Sequence, residues 1–110
     1  MELTLENATS GDWTVVRVAG ELDLHTSPQL RDHVLGLLEE PPVRVALDMA
    51  KVTFMDSSSL GTLVTCLKRV RERGGRLILI GISGSPMKVL SLTGLDRVFD
   101  LVSSPSDLPA

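Results

Sequence analysis

Aromatic residues are scarce in this chain of 110 residues: it has no tyrosine, one tryptophan and two phenylalanines. So few rings do not furnish the stacking surface on which single-stranded nucleic acid is held. A large excess of one charge is also missing, since 11 Lys and Arg stand against 14 Asp and Glu, a formal net charge of −3. No nucleic-acid footprint is expected from such a balance. Cys66 is the lone cysteine, which excludes an internal disulfide. The chain has no apolar run long enough to span a bilayer and no basic-plus-apolar leader. No membrane association is therefore expected, and the location expected is cytoplasmic.

What is present suits a soluble globular protein: 43% hydrophobic and 23% charged residues, in a length that makes one domain over residues 1–110. A chain of this size buries a core without disulfide or metal staples. Leu3 and Leu5 alternate with Glu2, Thr4 and Glu6, and Trp13 to Ala19 is rich in β-branched residues. With turn chemistry from Asn7 to Asp12 between them, the two segments predict an antiparallel strand pair. Ser27-Pro28 supplies a cap and a first-turn proline, and Leu30, Val34, Leu37 and Leu38 mark one face of a helix over Ser27 to Leu38. Val43, Val45, Leu47 and Met49 alternate as a third strand. Leu77-Ile78-Leu79-Ile80 is an unbroken apolar run, expected of a strand covered on both sides. A further helix is predicted over Pro86 to Leu92 and a last short strand over Val98 to Leu101. Successive strand-helix-strand units after an antiparallel start imply an α/β fold, a mixed sheet of four or five strands with helices packed against it.

The most informative stretch is Val52-Thr53-Phe54-Met55-Asp56-Ser57-Ser58-Ser59-Leu60-Gly61, a strand that breaks into serines and opens a helix over Ser57 to Arg73. Leu60, Leu63, Val64, Leu67 and Val70 recur at helical spacing, so they share a face about 100° wide. Ser58 then lies almost opposite Leu67, the centre of the buried stripe, and is expected to point at solvent. Gly61, Thr62, Thr65 and Arg69 fall on the same side, where small side chains leave room for another surface. Cys66 falls at the margin of the buried face, as a half-buried filler. Taken alone, Asp56 and the serines would be ordinary helix caps.

Three blocks carry more than that. Phe54-Met55-Asp56-Ser57-Ser58 resembles the phosphoacceptor segment of bacterial anti-sigma factor antagonists of the STAS superfamily. Gly20-Glu21-Leu22-Asp23-Leu24-His25-Thr26 resembles that family's strand-to-helix connection, and Leu92-Thr93-Gly94-Leu95-Asp96-Arg97-Val98-Phe99 its last helix-to-strand passage. The blocks stand in family order from about Leu3 to Leu101. The resemblance implies a single STAS-like domain that is not itself an enzyme, with no catalytic residue, metal or cofactor of its own. It implies a partner switch: the unphosphorylated protein binds an anti-sigma factor, often a serine kinase, and frees a sigma factor, and a serine phosphatase restores this form. Ser58 matches the phosphoacceptor. Asp23, Asp56, Ser57, Ser58, Ser59, Gly61, Thr62 and Thr65 are the residues expected at the partner.

Two departures from the family pattern bear on this. Ser59 stands where relatives usually have glycine, adding bulk and a second candidate hydroxyl. After Val102 only Ser103 to Ala110 follows, where relatives commonly carry a further helix.

Other readings stay open beside it. A non-switching STAS scaffold or lipid-transport accessory subunit would use the same helix for constitutive docking. Gly81-Ile82-Ser83-Gly84-Ser85-Pro86 follows a strand and precedes a helix, as a nucleotide-binding loop does, yet it matches neither a Walker A nor a Rossmann pattern and reads as a connector. Ser58, His25 and an aspartate lack the elbow of a serine hydrolase, and His33 reads as a surface side chain. Asp23, Asp48 and Asp56 show no metal-ligand spacing and read as caps.

Overall fold

The strands are β1 (Leu3–Ser10), β2 (Trp13–Leu22), β3 (Arg44–Met55), β4 (Arg76–Ile80) and β5 (Asp100–Val102), and the helices α1 (Ser27–Leu35), α2 (Ser57–Glu72) and α3 (Gly84–Leu92). The computed structural model describes residues 2–110. The strands lie side by side in chain order, β1 antiparallel to β2 and each later neighbour parallel. This is the mixed sheet that the alternation of strand and helix patterns requires.

Period-two alternation divides the sheet into two faces. Leu3, Val16, Val18, Val45, Leu47, Leu77 and Leu79 face one side, where they join Leu30 and Val34 of α1, Leu60, Leu63, Leu67 and Val70 of α2, and Leu90 of α3 in one buried cluster. Full burial of each such side chain contributes about 1.5–3 kcal/mol. The other face carries Trp13, Val15, Ala46, Ile78 and Ile80, packed with Ala8, Val102 and Leu108. That second cluster explains why Leu77 to Ile80 of β4 is an unbroken apolar run: both of its sides are covered. Part of the cover is the segment after β5, where Pro105–Asp107 forms a 3₁₀ turn and the Trp13 indole N–H donates to the Pro109 carbonyl at 2.7 Å.

Leu60, Leu63, Leu67, Leu77 and Leu79 are all buried, so the helix phase deduced for α2 is correct. Cys66 is different from expectation: it is fully buried rather than marginal. The reason is α1, whose Leu30 and Val34 share the same cluster and cover the flank of α2 that a sheet alone would leave open. Burial pushes the Cys66 thiol up to about 11. Element ends differ as well. α1 stops at Leu35, three residues early, because Gly36 follows it. α3 starts at Gly84, two residues early, since Pro86 sits within a first turn whose N–H groups need no helical partner. β5 begins at Asp100 because Leu95–Arg97 winds into a 3₁₀ turn that carries the chain past Val98.

One glycine sets the geometry at the end of the sheet that matters here. Gly20 has φ +114, and a Cβ on it would collide with the backbone carbonyl of Glu2. The β2–β3 register also slips between Arg17 and Ala19 and again between Gly20 and Glu21. Bulges of this kind bend a strand and raise its twist. They deliver the last pairs, Glu21 with Phe54 and Leu22 with Met55, to the edge from which the next two loops emerge.

Candidate functional site

The carboxyl ends of the parallel strands β2 and β3 release two loops side by side, a common place for sites in sheets of this kind. The first runs from Asp23 to Thr26 into α1. Asp23 Oδ1 accepts from the N–H groups of His25 at 2.8 Å and Thr26 at 2.9 Å, and the Thr26 hydroxyl donates to the Glu21 carbonyl at 2.7 Å. The Thr26 N–H is the main cause that holds the Asp23 carboxyl below its ordinary value; burial opposes it, and His25 reinforces it. Asp23 is buried, and its Oδ1 serves its own loop.

The second loop is the start of α2. Asp56 is the N-cap, in extended conformation, and its Oδ1 accepts from the Ser59 N–H at 3.1 Å and from the Ser58 hydroxyl at 2.6 Å. Ser59 answers as the far side of a capping box: its Oγ accepts from the Asp56 N–H at 3.1 Å and donates to the Asp56 carbonyl at 2.6 Å. Burial works against ionisation of Asp56, but the Ser58 hydroxyl and the N–H groups of Ser59, Leu24 and Ser58 outweigh it. The carboxyl therefore titrates below its usual range. The Leu24 N–H in that set belongs to the first loop, so the two loops are neighbours at this end of the sheet.

Around this cap the serines divide by exposure. Ser57 is exposed, and Ser58 is half-buried with its hydroxyl turned onto Asp56 rather than free in solvent. Ser59 is fully buried with both hydrogen-bonding roles taken, which removes it from the accessible hydroxyls and from the outer surface. Gly61 is exposed, and a Cβ added there would meet nothing within 4 Å. Thr62 and Thr65, expected on the open side, are half-buried. Two residues missed by pattern reading appear at the same end, Leu24 at 66% exposure and Phe54 at 41%. A leucine between Asp23 and His25, off every helical or strand period, was the available signal. Among the described residues, no group of three or more His, Cys, Asp and Glu could hold a metal ion, and no helix is long and apolar enough to cross a membrane.

This geometry has counterparts. The STAS domain family model matches residues 4–108. The chain belongs to the STAS domain family. Over 95 residues it is 34% identical to the anti-sigma-B factor antagonist of Staphylococcus epidermidis, covering 86% of this chain and 88% of that protein. The crystal structure of a putative anti-sigma factor antagonist from Thermotoga maritima superposes with a TM-score of 0.86 at 26% identity, covering 94% of this chain and 89% of the other. The Bacillus cell fate determinant SpoIIAA in its phosphorylated form superposes with a TM-score of 0.71 at 25% identity, covering 96% and 95%. The three sequence blocks thus lie in a STAS domain similar to anti-sigma factor antagonists, and two of them form the loop pair just described.

Proposed function

We propose that this STAS domain is an anti-sigma factor antagonist that acts by partner switching. Unphosphorylated, it binds an anti-sigma factor through the end of the domain formed by the Asp23–Thr26 loop and the start of α2, and so frees a sigma factor. A serine-kinase partner phosphorylates Ser58, and a serine phosphatase reverses it. The protein itself catalyses nothing. It is a substrate and a competitor.

The observation that carries this reading is the division of the three serines. Ser59 is sealed inside the cap, which leaves Ser57 and Ser58 reachable, and of these two Ser58 donates its hydroxyl to the Asp56 carboxylate, at 2.6 Å. Esterification of Ser58 removes that donated proton and sets a charge of roughly −1.5 to −2 beside Asp56. Within the domain, the start of α2 compensates part of the added charge through its dipole. At a closed interface the phosphate adds bulk beside Asp56, and both anions would have to be desolvated together. A penalty of about 3 kcal/mol would weaken binding more than a hundredfold. Phosphorylation thus acts through charge at the interface and leaves the fold in place.

The test uses the purified anti-sigma factors of the source organism. Ser58→Ala is expected to bind as the parent does and to resist phosphorylation, and Ser58→Asp to lose binding while keeping the parent's urea midpoint. Phosphopeptide mapping should place the label on Ser58. A label on Ser57, or none with any cognate kinase, rejects the Ser58 switch in favour of a shifted acceptor or a constitutive docking module.

A further inference from the structure

The polar groups of this end are largely committed to one another. Asp23 serves its own loop, Ser59 is sealed, and the Ser58 hydroxyl is held by Asp56. What faces outward instead is apolar. Leu24 and Phe54 are two of only four large hydrophobic side chains that stand exposed among the described residues, the others being buried or half-buried. Their placement is tied to the site: Phe54 immediately precedes Met55, Leu24 lies two residues beyond Leu22, and Leu22 and Met55 are paired across β2 and β3. On either side of Leu24, Asp23 Oδ1 accepts from the His25 and Thr26 N–H groups and the Asp23 N–H donates to the Thr26 hydroxyl. Leu24 therefore sits on a loop whose backbone is already ordered, so little conformational entropy remains to be lost when its side chain is captured.

Resting on the partner-switching reading above, we propose that Leu24 and Phe54 are the apolar anchors by which the anti-sigma factor is held, seated in an apolar socket with a cationic rim. Charge selects this occupant. Asp23 and Asp56 flank the anchors, both are held ionised, and neither takes part in any ion pair among the described residues. A second copy docked on this end would set aspartates against aspartates, and an anionic bilayer would meet the same carboxylates on a domain of net charge −3. A protein surface with arginine or lysine around a hydrophobic socket meets neither objection. The few buried apolar contacts then supply most of the affinity, as anchors at interface centres commonly do, and Ser58 supplies the switch.

The experiment measures binding of the parent, Leu24→Gln, Leu24→Ala, Phe54→Ala and Ser58→Asp to the same purified anti-sigma factors by calorimetry, with urea midpoints beside it. Leu24→Gln keeps the size of the side chain and removes its apolarity. Each anchor variant is expected to lose at least tenfold in affinity, with the Leu24 variants unchanged in urea midpoint because that side chain is exposed. The parent is expected to bind more weakly as salt is raised, from the cationic rim. If Ser58→Asp abolishes binding but the Leu24 and Phe54 variants bind like the parent, the anchors are wrong and the switch stands. If the parent binds none of the anti-sigma factors, the functional reading fails and the anchors with it. Concentration-dependent dimerisation abolished by Leu24→Gln would reassign the surface to a second copy, and retention on anionic vesicles would reassign it to a membrane; both overturn the proposal.

Discussion

Replacing Gly61 with alanine should move stability and partner binding in opposite directions. Gly61 lies inside α2, away from either end, with no left-handed backbone angle to justify it, and a Cβ there would meet nothing within 4 Å. Glycine in a helix interior is about 0.8–1.0 kcal/mol less favourable than alanine, mainly because the unfolded chain is freer. No contact inside the domain opposes the methyl group, so nearly the whole difference should appear as added stability. For a domain of this size that is a rise in Tm of about 4–8 °C per kcal/mol, read by urea or thermal unfolding with Trp13 as the fluorophore. A helix that forgoes this gain on its exposed side has a reason outside the domain. At a close-packed interface an extra methyl costs about 1–3 kcal/mol by overpacking, which is roughly a tenfold to hundredfold loss of affinity for the anti-sigma factor. A destabilised Gly61→Ala would mean that some neighbour crowds this position after all. A stabilised variant that binds like the parent would remove α2 from the docking surface.

The remaining expectations concern the core and the caps. Leu67→Ala should cost about 2–5 kcal/mol in urea unfolding, since Leu67 is buried within the main cluster; a near-neutral midpoint would show that α2 is not seated on the sheet. Asp23 and Asp56 both titrate below their ordinary values in the folded protein, so the stability they add is fully present above the unfolded carboxylate range, near pH 4, and is lost as pH falls through their folded values. Asp56→Asn, which still caps a helix, should flatten that acid limb; an unchanged pH profile would contradict the assignment. Cys66, buried with its thiol raised to about 11, should react with a disulfide reagent only as fast as the protein unfolds, and rapid labelling of the native protein would refute its burial.

How much of this was legible in sequence depends on the kind of information each element needs. The phase of α2 follows from one residue type recurring at one period, so Leu60, Leu63 and Leu67 could be placed by counting. Cys66 could not, because its burial depends on α1 arriving beside α2, and no periodicity within α2 records its neighbour. The same holds for Trp13, whose cover comes from Leu108 and Pro109 at the opposite end of the chain. The ends of α1 and β5 moved for local reasons, a glycine and a 3₁₀ turn, that compete with the apolar pattern over only a few residues. At the site, family likeness brought Asp23 and Asp56 to attention but did not say which way their carboxylates turn. Leu24 and Phe54 went unnoticed because an exposed apolar residue is recognised by its lack of cover, which is a property of the fold.

Ser59 joins these threads. The resemblance marked it as a departure, a serine where relatives usually carry glycine, and suggested a rival hydroxyl; its place inside the cap gives it a different part. By accepting from the Asp56 N–H and donating to the Asp56 carbonyl, it fastens the cap residue at both backbone groups. The Asp56 side chain is thereby fixed where it accepts from the Ser58 hydroxyl and the Ser59 N–H. One carboxylate then both holds the switch serine and closes the first turn of α2. A charge placed on Ser58 acts on the group that caps α2, which gives the switch a direct physical route to the start of that helix as well as to the partner.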